Sequence, residues 1–151
     1  MSLVSARLDH GWIETHIPHK GRMCLLHEVL SWDSARIRCR ANSHRLADNP
    51  LRAHGRLGAA CGVEYAAQAM AVHGAIVAAA EGTRARAGLL TSVRNLVLLV
   101  DRLDDLEADL IASAERLAGD EGSTLYEFTV TSAGRELLSG RAGIVFAAEP
   151  T

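Results

Sequence analysis

A long alanine-rich stretch in the middle of the chain most constrains the fold. Nearly every position of residues 57–81 is small or apolar, and the larger side chains Tyr65, Met70 and Val72 are distributed all round a helical wheel. A helix that is apolar on every side is a buried helix. The stretch is long enough for about seven turns at 3.6 residues per turn. The sequence therefore predicts one long helix that other elements surround.

The segments on both sides of this helix have the pattern of strands. Residues 35–41 alternate between small or apolar side chains and three arginines, a period of two that is typical of a half-buried antiparallel strand. We expect the arginine face to be solvated rather than to form an anion site. Residues 1–22 predict a loop or a short helical turn. The other predicted strands are residues 23–30 before the helix, and 89–103, 106–117, 126–131 and 135–148 after it.

Two strands, a buried helix and a meander of about four more strands predict an α+β fold. The sheet has to curl around the helix in order to bury it, which is the hot-dog arrangement. All 151 residues are expected to form a single domain of this kind. Such a sheet leaves its edge strands open, and pairing two sheets edge to edge removes the unpaired backbone groups. A homodimer or a higher homo-oligomer is therefore predicted.

Composition excludes several classes of function. The 18 acidic and 16 basic residues give a formal charge of -2, so no broad cationic field exists to hold nucleic acid. No segment has the run of about 18 apolar residues that a membrane span needs. The first 12 residues lack the apolar core of a signal peptide, which predicts a cytoplasmic protein. Three cysteines without a CxxC pair are expected to be reduced, and no metal site or cofactor is predicted.

Glu64 and Gln68 are the polar exceptions near the start of the buried helix. Their spacing of four residues places them on one face, one turn apart. A carboxylate inside an apolar helix has to be neutralised, paired or placed at a cleft, and a raised pKa would suit a general acid. The alternative is a structural role, in which Glu64 favours the positive end of the helix dipole and pairs with Arg52 or Arg56.

The start of the predicted helix and the loop before it supply the other candidate site groups. Gly58 and Ala59 offer backbone amides with almost no side chain in the way, suited to holding a carbonyl oxygen that gains negative charge. Among the seven histidines, His54 lies in the preceding loop, ten residues before Glu64. Histidine is a candidate acid or base because its pKa lies near neutrality.

Two sequence blocks resemble a known family. Residues 17–29, IPHKGRMCLLHEV, resemble the opening block of bacterial 3-hydroxyacyl-acyl-carrier-protein dehydratases. Residues 62–71, GVEYAAQAMA, resemble the helix motif of these enzymes. The blocks are most similar to the dehydratase-like hot-dog proteins of aryl polyene and related lipid pathways. The resemblance implies a 3-hydroxyacyl thioester substrate on an acyl carrier protein, dehydrated to the trans-2-enoyl thioester in fatty-acid or aryl polyene type biosynthesis.

The resemblance also assigns site residues. It implies that Glu64 is the catalytic carboxylate, that the amides of Gly58 and Ala59 polarise the thioester carbonyl, and that Gln68 lies with them at the substrate. The family's loop histidine aligns with Pro50, which is the main departure from its pattern. Either His54, the better candidate, or His44 takes its place, or the chain has lost the base.

Two other functions remain open at this point. One is an acyl thioesterase on the same scaffold, in which the carboxylate activates water. The other is a non-catalytic acyl-binding subunit that forms a heterodimer with an active hot-dog dehydratase. The proline at the position of the family's histidine supports this alternative.

Overall fold

One long helix and six strands make up most of residues 8–147, the part of the chain that this computed structural model describes. The helices are α1 (His10–His16) and α2 (Gly62–Ala80). The strands are β1 (Glu28–Trp32), β2 (Arg36–Ala41), β3 (Gly88–Leu98), β4 (Leu110–Gly119), β5 (Ser123–Ser132) and β6 (Arg135–Phe146). Short 3-10 turns lie at Gly21–Met23, Ser43–Arg45 and Ala59–Cys61. Residues 1–7, most of the segment assessed for a signal peptide, and residue 148 of the last predicted strand lie outside the described residues.

The six strands form one antiparallel sheet in the order β1-β2-β4-β5-β6-β3. Helix α2 packs across one face of this sheet, against β2, β4 and β5. The predicted sheet around a central helix is therefore confirmed. The prediction of a four-strand meander after the helix is wrong for β3, because only β4, β5 and β6 follow one another as neighbours. The helix leads the chain to the edge opposite β1, so within the described part of the chain β3 pairs only with β6.

Helix α2 begins five residues later than the sequence predicted. Residues 57 and 58 are extended because the backbone of this segment pairs with residues 101–103. The Ala59 amide donates to the Asp101 carbonyl at 3.0 Å, and the Leu103 amide donates to the Leu57 carbonyl at 2.8 Å. A 3-10 turn then leads into the helix at Gly62. The small apolar residues of this segment therefore predicted a helix, but its backbone forms hydrogen bonds with residues 101–103 instead.

The first strand and the N-terminal segment also differ from expectation. Residues 24–27 precede β1 instead of belonging to it, since the Leu25 amide donates to the Gln68 side chain at 2.9 Å rather than to a neighbouring strand. Where a loop or a single turn was predicted, α1 forms a seven-residue helix. The Asp9 carboxylate caps it by accepting from the Trp12 amide at 3.0 Å.

The core is built where α2 meets the sheet. Tyr65, Ala69 and Val72 of the helix are fully buried, as the all-round apolar pattern predicted. Gly62 lets the helix approach β6, because a Cβ there would lie 2.5 Å from a methyl carbon of Leu138. Among residues 8–147 no helix has the length and apolarity to span a membrane.

The arginine face of β2 is only partly solvated. Arg36 and Arg38 are exposed, as expected. Arg40 instead bridges two acids, Glu28 at 2.8 Å and Asp109 at 2.7 Å, and its side chain is 25% exposed. The alternating pattern correctly predicted which side chains share a face of β2. It did not predict the ion pairs of Arg40, because the two acids are distant from it in the sequence.

Candidate active site

Glu64 lies in the first turn of α2 with its side chain 32% exposed. Its oxygen Oε2 accepts a hydrogen bond from Gln68 Nε2 at 3.0 Å and lies 3.1 Å from His19 Nε2. The arginines of the structural alternative point elsewhere. Arg52 Nη2 donates to the His44 carbonyl at 3.3 Å, and the guanidinium of Arg56 has no ion pair with Glu64 within the described chain. A histidine, not an arginine, therefore accompanies the carboxylate.

Gln68 holds the carboxylate from one helical turn below. Its Nε2 donates both to Glu64 Oε2 and to the Met23 carbonyl, the latter at 2.7 Å, and its Oε1 accepts from the Leu25 amide. The side chain is fully buried, so these contacts occupy its polar atoms. The prediction that both residues share one face is confirmed by their hydrogen bond. The predicted contact of Gln68 with substrate stays a prediction.

The segment after α1 brings His19 to Glu64. Two hydrogen bonds fix the conformation of this segment. Lys20 Nζ donates to the Ile17 carbonyl at 2.8 Å, and the Gly21 amide donates to Glu14 Oε2 at 2.7 Å. Gly21 has a φ of +57°, which favours glycine. The sequence analysis did not select His19 as a site residue. Its signal was available, because His19 belongs to the block that carried the family resemblance.

The two ring nitrogens of His19 have different surroundings. A carboxylate accepts hydrogen bonds and a neutral imidazole carries one N–H, so we assign the proton to Nε2, which faces Glu64 Oε2. The other nitrogen, Nδ1, then carries a lone pair. It is buried and has no hydrogen-bond partner among residues 8–147. This arrangement leaves an unsatisfied proton acceptor beside a carboxylate.

The loop histidines lie away from this pair in the single chain. His54 is exposed at the tip of a turn closed by two hydrogen bonds between Ala53 and Arg56, and its φ is +54°. His44 is fully buried, with Nε2 bonded to the carbonyls of Leu106 at 3.0 Å and Ala108 at 3.1 Å. Burial lowers the pKa of His44. The structure therefore brings neither into contact with Glu64, and the role assigned to His54 stays a prediction.

The loop before α2 is anchored beside the carboxylate. Tyr65 follows Glu64, and its hydroxyl accepts from Asn49 Nδ2 at 3.1 Å and lies 2.8 Å from Ser43 Oγ. Burial raises the pKa of Tyr65, so the hydroxyl stays neutral at physiological pH. Pro50, which stands at the family's histidine position, follows Asn49 directly. This part of the loop is therefore fixed by a buried polar network.

The two predicted amide donors differ in availability. The Ala59 amide is used by the Asp101 carbonyl, as described above. Gly58 has no hydrogen-bond acceptor for its amide among residues 8–147, and a Cβ at this position would meet open space. Gly58 is thus the donor that the fold leaves free, while carbonyl binding by either residue stays a prediction. The described chain contains no group of three His, Cys, Asp or Glu side chains arranged to hold a metal ion.

Comparison with known proteins places the chain in a family. Residues 12–150 match the ApeP-like family, described as ApeP dehydratase. The chain belongs to this family. The predicted membership of the dehydratase-like hot-dog proteins is therefore confirmed. No curated protein sequence matches the chain.

Solved structures support the fold. The chain is similar to the dehydratase heterocomplex ApeI:P from Xenorhabdus doucetiae, with 20% identity, a TM-score of 0.80 and 91% of each chain covered. It is also similar to an HP0420 homologue from Helicobacter felis, with 14% identity, a TM-score of 0.63, and 99% of this chain and 93% of that one covered. A hypothetical thioesterase with coenzyme A from Streptococcus pneumoniae TIGR4 matches at 13% identity and a TM-score of 0.55, covering 82% and 88%.

Proposed function

We propose that this member of the ApeP-like family dehydrates a 3-hydroxyacyl thioester on an acyl carrier protein to the trans-2-enoyl thioester, in aryl polyene or fatty-acid type biosynthesis. The observation that carries the proposal is the contact between Glu64 and His19, in which one imidazole nitrogen faces the carboxylate and the other lacks a partner in the described part of the chain. We place the reaction in the cytoplasm, where carrier-bound acyl chains are built.

The pair supplies both proton transfers that a dehydration needs. His19 Nδ1 removes the proton from the carbon next to the thioester carbonyl, and the electron pair of that C–H bond forms the new double bond. The hydroxyl leaves from the neighbouring carbon. The Nε2 proton of the cationic imidazole passes to the Glu64 carboxylate, and the carboxyl group formed in this way gives that proton to the hydroxyl, which departs as water. Among residues 8–147, the contacts of the Glu64 carboxylate are made by Oε2, which leaves Oε1 without a hydrogen bond.

The carbonyl of the thioester needs a hydrogen-bond donor while negative charge develops on it. The free amide of Gly58 precedes the helix by a few residues and fits this role. Gln68 keeps Glu64 in place, because it is itself held by two backbone groups. The proposal thus divides the predicted site into groups that react and groups that position them.

The protein is proposed to pair through β3. The edge of β1 is partly covered, since the Val29 amide donates to the Leu8 carbonyl at 2.9 Å. Among residues 8–147 the outer edge of β3 has no neighbouring strand, and Leu89 in β3 and Leu99 just after it are 69% and 51% exposed. An open apolar edge favours pairing with another sheet. A homodimer and a heterodimer with a second hot-dog chain both satisfy this requirement.

A non-catalytic partner role is the second candidate function. It is favoured by the open β3 edge together with the likeness to a structure described as a dehydratase heterocomplex. In that case the chain would complete the site of another hot-dog dehydratase. Turnover that appears only after a second hot-dog protein is added, and that survives Glu64→Gln in this chain, would select this role.

The direct test is to incubate the protein with a 3-hydroxyacyl carrier-protein thioester and to follow enoyl product by mass spectrometry. Loss of one acid or base group lowers such rates by about 10²–10⁴-fold, which is the expected effect of Glu64→Gln. Release of free thiol without enoyl product would instead indicate a thioesterase.

His54→Ala separates the two histidine assignments. If His19 is the base in this chain, His54→Ala leaves the rate within about twofold of the original, well short of the loss expected for an acid or base. A loss as large as that of Glu64→Gln would make His54 the base, supplied across a subunit interface. Activity that survives both Glu64→Gln and His54→Ala would refute the roles that the sequence assigned.

A further inference from the structure

Residues 101–104 hold the backbone on both sides of Gly58. The Leu57 carbonyl and the Ala59 amide both bond to this segment, as described above. Gly58 itself lies directly opposite Arg102, between these two hydrogen bonds. In antiparallel pairing this is the position whose own N–H and C=O groups point away from the partner segment. The pairing therefore sets the direction of the Gly58 amide.

Asp104 adds a buried carboxylate to this pairing. Its side chain is 6% exposed. Oδ1 accepts a hydrogen bond from the Leu57 amide at 2.7 Å and another from Arg102 Nε at 3.1 Å, and Oδ2 accepts from Arg102 Nη2. Hydrogen bonds to a charged group are about twice as strong as those between neutral groups. The residue before Gly58 is thus held at its amide by Asp104 and at its carbonyl by the backbone.

The charge of Asp104 is compensated where it lies. A buried carboxylate is costly unless it is paired and hydrogen-bonded, and Arg102 meets both conditions here. An unpaired carboxylate so near Gly58 would oppose the negative charge that develops on a bound carbonyl oxygen. The ion pair orders the backbone without adding net charge. No step of the proposed dehydration uses this pair.

We propose that Asp104 is a positioning residue, which directs the free amide of Gly58 towards the thioester carbonyl while Arg102 neutralises its charge. The inference rests on the proposed function, in which this amide binds the carbonyl. A reacting geometry misplaced by about 1 Å costs about 10²-fold in rate. The carbonyl gains negative charge only as the reaction proceeds, so loss of Asp104 lowers kcat more than it raises KM.

Gly58→Pro measures what the amide itself contributes. Gly58 has a φ of -65° and a ψ of 152°, which proline adopts, and a Cβ at this position would meet open space. The substitution removes the N–H group and keeps the backbone conformation. Loss of one donor to a developing oxyanion lowers kcat by about 10²–10³-fold, which is the expected effect.

Asp104→Ala tests the positioning role. We expect kcat to fall by about 10–100-fold, with KM within about threefold of wild type. The double variant Gly58→Pro/Asp104→Ala should have a kcat within about twofold of Gly58→Pro alone, because the amide through which Asp104 acts is absent. Asp104→Asn keeps an acceptor for the Leu57 amide, so it should recover most of kcat. It also serves as the test variant if Asp104→Ala does not fold.

Asp109→Ala is the matched control. The Asp109 carboxylate also accepts from two arginines, from Arg40 Nη1 at 2.7 Å and from Arg45 Nη2 at 2.9 Å. These bonds do not involve residues 57–59. Loss of this carboxylate should lower the thermal midpoint and leave kcat unchanged. A comparable loss of kcat in both alanine variants would mean that Asp104 acts through general stability, and the proposal would be overturned.

Infrared difference spectra give a readout that needs no turnover. The probe is a saturated acyl-pantetheine thioester, which cannot be dehydrated, with an isotope label at its carbonyl carbon. A hydrogen bond from the amide lowers the stretching frequency of this carbonyl. Wild type and Asp104→Asn should share the lower frequency, and Asp104→Ala and Gly58→Pro should share the higher one.

Two results of these measurements count against Asp104. Equal carbonyl frequencies in wild type and Asp104→Ala would overturn the proposal, and so would a double variant in which the two losses of kcat multiply. If wild type forms no enoyl product but the frequencies still differ, the dehydration is wrong and the positioning of the amide stands. The two failures are therefore distinguishable.

Discussion

Helix α2 carries polar groups at two places that resemble one another in sequence and differ in structure. Near its start, Glu64 is about one-third exposed and contacts His19, whose Nδ1 has no hydrogen-bond partner within residues 8–147. Near its middle, His73 is 1% exposed, with Nδ1 2.6 Å from the Tyr126 hydroxyl and Nε2 2.9 Å from the Asp33 carbonyl. Both places interrupt an apolar helix. Only the first leaves a proton acceptor without a hydrogen-bond partner among residues 8–147.

The difference separates a reactive polar group from a structural one. The His73 ring joins the helix to β5 and to the turn between β1 and β2, and each of its nitrogens is satisfied. Buried polar groups with complete hydrogen bonding stabilise a unique arrangement. At Glu64 the hydrogen bonds fix the carboxylate but leave His19 incomplete, which is an arrangement suited to a substrate. The following predictions test this contrast, beginning with the largest effect.

His19→Ala should have the largest effect, and it should act on activity alone. Removal of the proposed base is expected to lower kcat by about 10²–10⁴-fold. His19 is partly exposed and its Nδ1 bonds to nothing in the described chain, so the thermal midpoint should change little. Enoyl formation measured beside a thermal melt of the same sample checks both expectations. Equal kcat in variant and wild type would remove His19 from the reaction.

His73→Leu should show the opposite profile. The substitution leaves the Tyr126 hydroxyl and the Asp33 carbonyl without their partner, and each unsatisfied buried group costs about 1–3 kcal/mol. The free energy of unfolding, measured with urea, should therefore fall by about 2–4 kcal/mol. The turnover of the protein that remains folded should stay close to that of wild type.

Tyr126→Phe is the milder control for His73. It removes only the hydroxyl that bonds to His73 Nδ1, and it should cost about 1–2 kcal/mol of unfolding free energy. If His73→Leu abolished turnover without lowering stability, the assignment of His73 as structural would be wrong, and the contrast between the two places on the helix would fail.

Gln68→Met should affect both activity and stability, by smaller amounts. Methionine has a similar length but loses the hydrogen bonds to Glu64, to the Met23 carbonyl and to the Leu25 amide. We expect about a tenfold loss of kcat from the less ordered carboxylate, and about 1–3 kcal/mol from the unsatisfied backbone groups. A loss of stability with full kcat would show that Glu64 does not need Gln68 for its position.

The sequence predicted the fold well where pattern and burial agree. Alternation in residues 35–41 and the apolar wheel of residues 57–81 follow from local periodicity, which the packed structure preserves. The position of β3 did not follow, because strand order depends on where a buried helix delivers the chain. The late start of α2 also escaped prediction, since backbone pairing of Ala59 with Asp101 joins residues far apart in the sequence.

The candidate site was predicted in part for the same reason. The spacing of Glu64 and Gln68 is local, and the structure confirms their contact. The partner imidazole comes from His19, which is 45 positions before Glu64, and no periodicity connects the two. Distance along the chain favoured His54, whose loop position resembles that of the family's base. The contact between the N-terminal turn and the start of the helix is a tertiary contact, and the spacing of residues along the chain does not predict it.

The smallest expected effect is on the pH dependence of stability, which should distinguish buried His73 from partly exposed His19. Burial lowers the pKa of His73 and of His44 from the usual value of 6.5, while nearby Asp33 opposes and Arg116 supports this lowering at His73. As pH falls below 6.5, the unfolded chain therefore binds protons that the folded chain does not, and the free energy of unfolding decreases. Urea midpoints between about pH 7 and pH 4.5 should fall for wild type and fall less for His73→Leu.

The carboxylates of Asp104 and Asp109 act mainly at lower pH. Hydrogen bonds from arginines hold the pKa values of both carboxyl groups below their usual value of 3.8, so most of their contribution to stability is lost below about pH 4.5. His19→Ala serves as the matched comparison, because its ring has one unpartnered nitrogen and is partly exposed. Both buried histidines remain in this variant, so it retains the pH dependence that their lowered pKa values cause. An equal slope in wild type and His73→Leu would mean that His73 accepts a proton in the folded state, and its complete hydrogen bonding would then not be what distinguishes it from His19.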